Sequence, residues 1–129
     1  MITGDQIVLH AVGDYLLQSD WMADQKTKRH IAALAHAVVY ALPFLVFRPS
    51  LTAWLVIFGT HFLIDRYRLA RYVVFAKNYL APSSWWYPWA ECQATGYHKE
   101  RPVWLAVWLM IFADNILHVI INGAALRFL

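Results

Sequence analysis

Four apolar stretches, each near the length of a helix that crosses a bilayer, take up most of this chain. The few ionisable residues inside them recur one helical turn apart. His10 precedes Asp14, His61 precedes Asp65 and Asp114 precedes His118, each by four residues, and a further stretch carries His36. A spacing of i, i+4 sets both side chains on one face of a helix. Four helices can therefore aim seven ionisable groups at a common interior, which predicts a polar site inside an apolar bundle.

The composition agrees with a membrane setting. Of 129 residues, 60% are hydrophobic and 15% charged, whereas apolar usage in a soluble domain is about half; mean hydropathy is +0.43. The length suits about four spans of roughly 20 residues with short connections. The expected fold is thus all-α, a polytopic four-helix membrane bundle forming one domain over residues 1–129. Cys92 is the single cysteine, which excludes an intrachain disulfide. Residues 1–5 lack a basic segment and a small-residue cleavage site, so the first apolar stretch is expected to stay in the mature protein. The net charge of +3 falls in the connections, where it reports topology and lipid headgroups rather than nucleic acid. Phosphate-binding loops and nucleophile elbows are absent from the sequence.

Helix boundaries follow from caps and breakers. The first helix is expected over residues 6–22, with Thr3 or Asp5 as its cap and Gly13 lowering its propensity. Residues 20–29 are charged and turn the chain. The second helix covers residues 30–47, kinked by Pro43 near its end, and the turn Arg48, Pro49, Ser50 leads into a third. That helix is apolar from Leu51 to Ile64 and continues with a basic amphipathic end to Lys77. Residues 78–101 form a long loop whose Trp85, Trp86, Tyr87 and Trp89 suit a membrane interface. A fourth helix starts at Pro102, a favoured first-turn residue, and carries Asp114, His118 and Asn122 on one stripe.

Basic residues concentrate at Lys26, Lys28 and Arg29, and again at Arg66, Arg68, Arg71, Lys77, Lys99 and Arg101. The positive-inside rule then sets both termini away from the cytoplasm, in a bacterial inner membrane. Counted from the cytoplasmic helix ends, Asp14, Asp65 and Asp114 share a shallow layer, with His10, His61 and His118 about 6 Å deeper. His36 enters at a comparable depth.

An Asp at the centre of a membrane helix costs about 2.5–3.5 kcal/mol, so such residues normally face a protein interior and mark function. Imidazole and carboxylate are the standard ligands for Zn, Mn and Fe, and a four-helix bundle with inward His and acid residues can hold one or two such ions. The candidate ligands are His10, Asp14, His36, His61, Asp65, Asp114 and His118. Asp14, Asp65 and Asp114 are also the candidate bases of a metal-assisted hydrolysis of a lipid or phosphate ester. Two other readings stay open: a purely structural polar core, and a proton or cation path built from the same groups, which would require homo-oligomers to form a pore. Tyr15, Gln18, Tyr40 and Asn122 are candidate donors behind the main groups, with ordinary polar packing as their alternative. His30 and His98 lie in basic boundary segments and are expected to be solvated. Thr60 and Asn115 carry no assignment. Arg66 and Arg68 could meet a phosphate, although headgroup contact already accounts for them.

The series His10, Asp14, Tyr15 and Gln18, then Trp21, Met22, Ala23 and Lys26, then His36, then His61 through Asp65, then Asp114, Asn115 and His118 resembles a family of small membrane proteins of bacteria and their phages, domain of unknown function 3307. The resemblance covers nearly the whole chain. It implies an integral membrane protein with the His and Asp residues as its signature, and it brings no activity with it. A non-catalytic, phage-associated protein that binds a partner is also compatible with it. A looser similarity is to the membrane-bound metal-dependent hydrolases.

Overall fold

The computed structural model describes residues 2–129, and helix is the only regular structure among them. Helix α1 (Gly4–Ala11) starts at Thr3, whose Oγ1 accepts the Gln6 amide at 3.3 Å. It runs into a π-helical turn, Val12–Leu16, closed by the Leu17 amide donating to the Val12 carbonyl at 3.0 Å. Gly13 sits in this turn against Tyr40: a Cβ there would lie 2.8 Å from both the Tyr40 ring Cδ2 and its backbone carbonyl. The expected helix over 6–22 is therefore broken. Ser19 competes for the backbone as a cap, accepting the Met22 amide at 3.3 Å, and opens a separate helix α2 (Asp20–Gln25).

Helix α3 (His30–Ala41) stops before Pro43, which has no N–H to continue the ladder. A 3-10 stretch, Pro43–Phe47, carries the chain to Arg48 in the left-handed region at φ 48°. Ser50 then caps α4 (Leu51–Tyr67), its Oγ accepting the Ala53 amide at 3.0 Å. The expected continuation of this helix to Lys77 does not occur. Arg68 adopts φ 53°, ψ 48° and its amide bonds back to the Asp65 carbonyl, a left-handed cap that satisfies the last carbonyls of α4. The chain then starts α5 (Ala70–Lys77).

Contacts divide the protein into two compact units, one made of the described residues up to Arg68 with His118–Leu129, the other of Leu69–Leu117. Helix α6 (Val103–Phe128) begins one residue after Pro102 and contributes to both. In the second unit, residues 78–101 carry three short 3-10 turns and bond back to their own surroundings: Asn78 Nδ2 donates to the Gly96 carbonyl at 2.8 Å and Arg71 Nη1 to the Gln93 carbonyl at 3.0 Å. Gly96 has φ 88°, and a side chain there would strike the Arg71 carbonyl and Val74. Cys92 is buried, and burial pushes its thiol pKa up. His98 is not the solvated residue expected from its basic neighbours. Its ring lies against Tyr87, tilted by 32° with centroids 3.9 Å apart, and reaches Glu91 Oε2 at 2.9 Å, a bond that holds the Glu91 carboxyl below its usual range.

In the first unit α3 packs on α4 through small residues, with Ala32, Ala33, Ala37 and Ala41 buried on one side and Ala53 and Ile57 on the other. Tyr40, Phe44 and Ala125 complete the apolar cluster. Larger aliphatic residues of α3 and its C-cap point outward: Ile31, Leu34, Val38 and Leu42 are exposed, and Val39 is half-buried. Among the described residues two helical stretches, His30–Phe47 and Val103–Phe128, are long and apolar enough to cross a membrane. Two of the four expected spans are not among them. The π-turn and the break at residues 17–19 interrupt the first, and the left-handed Arg68 stops α4 at 17 residues.

Candidate metal centre

Four side chains from three segments converge inside the first unit. Asp14 comes from the π-turn, His36 from α3, and His61 and Asp65 from successive turns of α4. All four are buried, and one ligand atom from each lies within 4.8 Å of the other three. The Nε2 atoms of His36 and His61 stand 3.0 Å apart. His36 Nε2 is 3.2 Å from Asp14 Oδ1 and 3.3 Å from Asp65 Oδ2, while His61 Nε2 is 3.4 Å from Asp65 Oδ2 and 3.8 Å from Asp14 Oδ1. Ligands about 2.0–2.1 Å from a zinc ion are about 3.3–3.4 Å from one another in a regular tetrahedron. Five edges of the cluster thus bracket that value, and the group could hold a metal ion.

The outer oxygen of each carboxylate meets a further histidine. Asp65 Oδ1 lies 3.2 Å from His118 Nε2, and Asp14 Oδ2 lies 3.9 Å from His10 Nε2. Both carboxylates therefore bridge the central imidazole pair to an outer imidazole. Behind His10 is Tyr40, whose Oη lies 2.8 Å from Nδ1 and accepts the Asn122 side-chain amide at 2.6 Å. The Tyr40 ring also stacks on His61, centroid to centroid 3.5 Å and nearly parallel. His36 and His61 have buried Nδ1 atoms with no hydrogen-bond partner among the described residues. The usual acceptor behind a ligating imidazole is thus missing at both, and packing fixes at least the His61 ring.

A residue that sequence reasoning missed completes the cluster. Lys26, just after α2, puts its Nζ 2.7 Å from Asp65 Oδ2, 3.3 Å from His36 Nε2 and 3.8 Å from Asp14 Oδ1. By sequence it is one of three basic residues in a connection and reads as a topology signal. Arg66, the other basic residue in view, bonds the Thr27 and Lys28 carbonyls at 2.7 and 3.3 Å and so fastens the chain that carries Lys26.

The remaining candidates fall as follows. Asp114 is half-buried one turn before His118 on α6, in the part of that helix belonging to the second unit. Tyr15 is exposed; Gln18 is half-buried, its Oε1 without a partner among the described residues. Thr60 and Asn115 donate to the Val56 and Ile111 carbonyls of their own helices, both at 2.7 Å. His30 is exposed.

Tyr40→Phe removes one hydroxyl that serves two buried groups, His10 and Asn122. A buried polar group deprived of a partner costs about 1–3 kcal/mol, so this variant is expected to melt earlier than wild type by circular dichroism. An unchanged melting curve would mean that the hydroxyl contributes nothing to stability.

No curated protein and no solved structure matches the chain. The sequence pattern of a family described as protein of unknown function (DUF3307) matches residues 2–124, and the chain belongs to that family.

Proposed function

We propose that this chain is an integral membrane protein whose buried cluster of Asp14, His36, His61 and Asp65 binds a divalent ion, Zn, Mn or Fe. The observation that carries the reading is a set of five separations from 3.0 to 3.8 Å among four converging ligand atoms, five of the six edges of a tetrahedral site. The membrane setting is supported by an inverted distribution of polarity. His10, His36, His61, His118 and Asn122 are buried to 3% exposure or less, while Leu, Val, Ile and Trp side chains cover the outside of α3 and α6. Only 11% of the apolar window in α6 is buried, unlike the core helix of a soluble protein. The basic connections place both termini away from the cytoplasm in this reading, and lipids are the immediate partners.

A bound ion of this kind lowers the pKa of water and polarises an ester oxygen, so the reaction class we attach to the site is hydrolysis of a lipid or phosphate ester. His10 and His118, behind the two carboxylates, are placed to take up a proton. Metal content of the detergent-purified protein tests the reading. About one ion per chain is expected in wild type and far less in His61→Ala, with helical content retained in both. Equal, substoichiometric metal in the two proteins would sink it.

A second reading rests on a different observation. Asn122, Tyr40, His10, Asp14, His36, Asp65 and His118 form a chain of polar contacts, the longest 3.9 Å. A proton conduit would use such a chain, and proton flux in vesicles that persists without metal would favour it.

A further inference from the structure

Lys26 caps one face of the cluster, the face defined by Asp14 Oδ1, His36 Nε2 and Asp65 Oδ2. Its side chain is 19% exposed, against 7% or less for the Asp14, His36, His61 and Asp65 side chains. The Lys26 face is therefore the accessible one. A divalent ion among the four ligand atoms would share Asp65 Oδ2 with the ammonium, and two positive centres on one oxygen repel. The backbone cannot carry Lys26 away, because Arg66 holds the next two carbonyls and the Lys26 amide bonds to the Met22 carbonyl at 2.9 Å. Only the flexible stem can move, so the ammonium stays tethered over the same face.

Formal charges then select a ligand. Two carboxylates and one ammonium leave the cluster at −1 without metal; a divalent ion brings it to +1. Zinc sites with protein ligands can expand by one position, and the exposed face is where an added ligand would enter. Building on the metal reading above, we propose that the metal-loaded site binds an oxyanion, a phosphate group, with one oxygen toward the ion and Lys26 as its charge partner. Lys26 is then a substrate-binding residue, and its place in the metal-free cluster is that of a stand-in cation.

The test uses the full chain in detergent with Mn2+ as the ion and inorganic phosphate as the probe, read by paramagnetic relaxation of the phosphorus signal and by calorimetry. Mn2+-loaded wild type is expected to bind phosphate at least tenfold more tightly than the metal-free protein. Lys26→Met should hold Mn2+ as tightly as wild type or more so, yet lose phosphate affinity at least tenfold; Lys26→Arg, which keeps the charge, should recover part of it. A parallel arm with a short-chain phosphatidylglycerol decides the source of the phosphate: tighter binding than inorganic phosphate points to a lipid headgroup, the reverse to a soluble anion, and both support the site. Phosphate binding unchanged by Lys26→Met, or equal with and without Mn2+, overturns the proposal while leaving the metal reading intact. Wild type that takes up none of Mn2+, Fe2+ and Zn2+ overturns both; wild type that takes up Zn2+ alone is put through the same calorimetric comparison with Zn2+.

Discussion

Asp65→Asn is expected to abolish stoichiometric metal binding and to destabilise the first unit more than any other single change in the cluster. The substitution keeps the shape of the side chain and removes its charge. Of the two carboxylates Asp65 holds its four partners more closely, Lys26 at 2.7 Å, His118 at 3.2 Å, His36 at 3.3 Å and His61 at 3.4 Å, against 3.2–3.9 Å for the four around Asp14. Losing a partner behind a ligand costs metal affinity about 10–100-fold, and losing a charged ligand should exceed that. For stability, breaking a buried ion pair costs about 3–5 kcal/mol. The value here falls at or below the lower end because the Lys26 side chain is 19% exposed and can turn toward solvent. Zinc titration and denaturant unfolding of the same preparation read the two effects separately. Retained stoichiometric zinc in Asp65→Asn would remove Asp65 from the ligand set.

Gly13→Ala should be nearly as damaging, although it adds only a single uncharged methyl group. That methyl would lie 2.8 Å from the Tyr40 carbonyl oxygen, a backbone atom of α3 that cannot rotate aside. Overpacking of this kind costs about 1–3 kcal/mol. Because the displaced residue adjoins Asp14 and presses on the ring that stacks against His61, metal affinity should fall with stability. Gly59→Ala is the control. Apart from its chain neighbours and the adjacent backbone of α4, no atom lies within 4 Å of the added methyl group there, and alanine is favoured over glycine in a helix by up to about 1 kcal/mol. Thermal melting of the two variants beside wild type gives the comparison; equal melting points for Gly13→Ala and Gly59→Ala would contradict the close approach at Gly13.

That the chain is helical, and that Asp14, His36, His61 and Asp65 face one interior, could be read from spacing alone, because i, i+4 periodicity is a local property. His61 and Asp65 do lie together on one buried face of α4, and Asp14 and His36 join them. What spacing could not reveal is which helix neighbours which. His118 reaches Asp65, 53 residues away, and Lys26 reaches the same carboxylate from a connection that reads as a charged turn and a topology signal. Gly13 reads locally as a weak point in a helix; its reason is a tertiary contact. Arg68 carries no sign of the left-handed conformation that ends α4, since glycine and asparagine are the residues that ordinarily advertise one. His98 was misjudged for the same reason as Lys26, its basic neighbours suggesting solvent where a tertiary partner was waiting.

The sequence separations inside the first unit also bear on when the site comes into being. Gln6 donates to the Val119 carbonyl at 2.6 Å, and Asn122 to Tyr40, so the first helix and α3 are each tied to the last dozen residues across 113 and 82 positions. Loops of that size close late. During synthesis Asp14, His36, His61 and Asp65 are all made before the segment that backs them, and the arrangement gains its His118 and Asn122 supports only when the end of α6 docks. An ion that needs the finished geometry would then be a cargo of the completed chain and not a nucleus around which it folds.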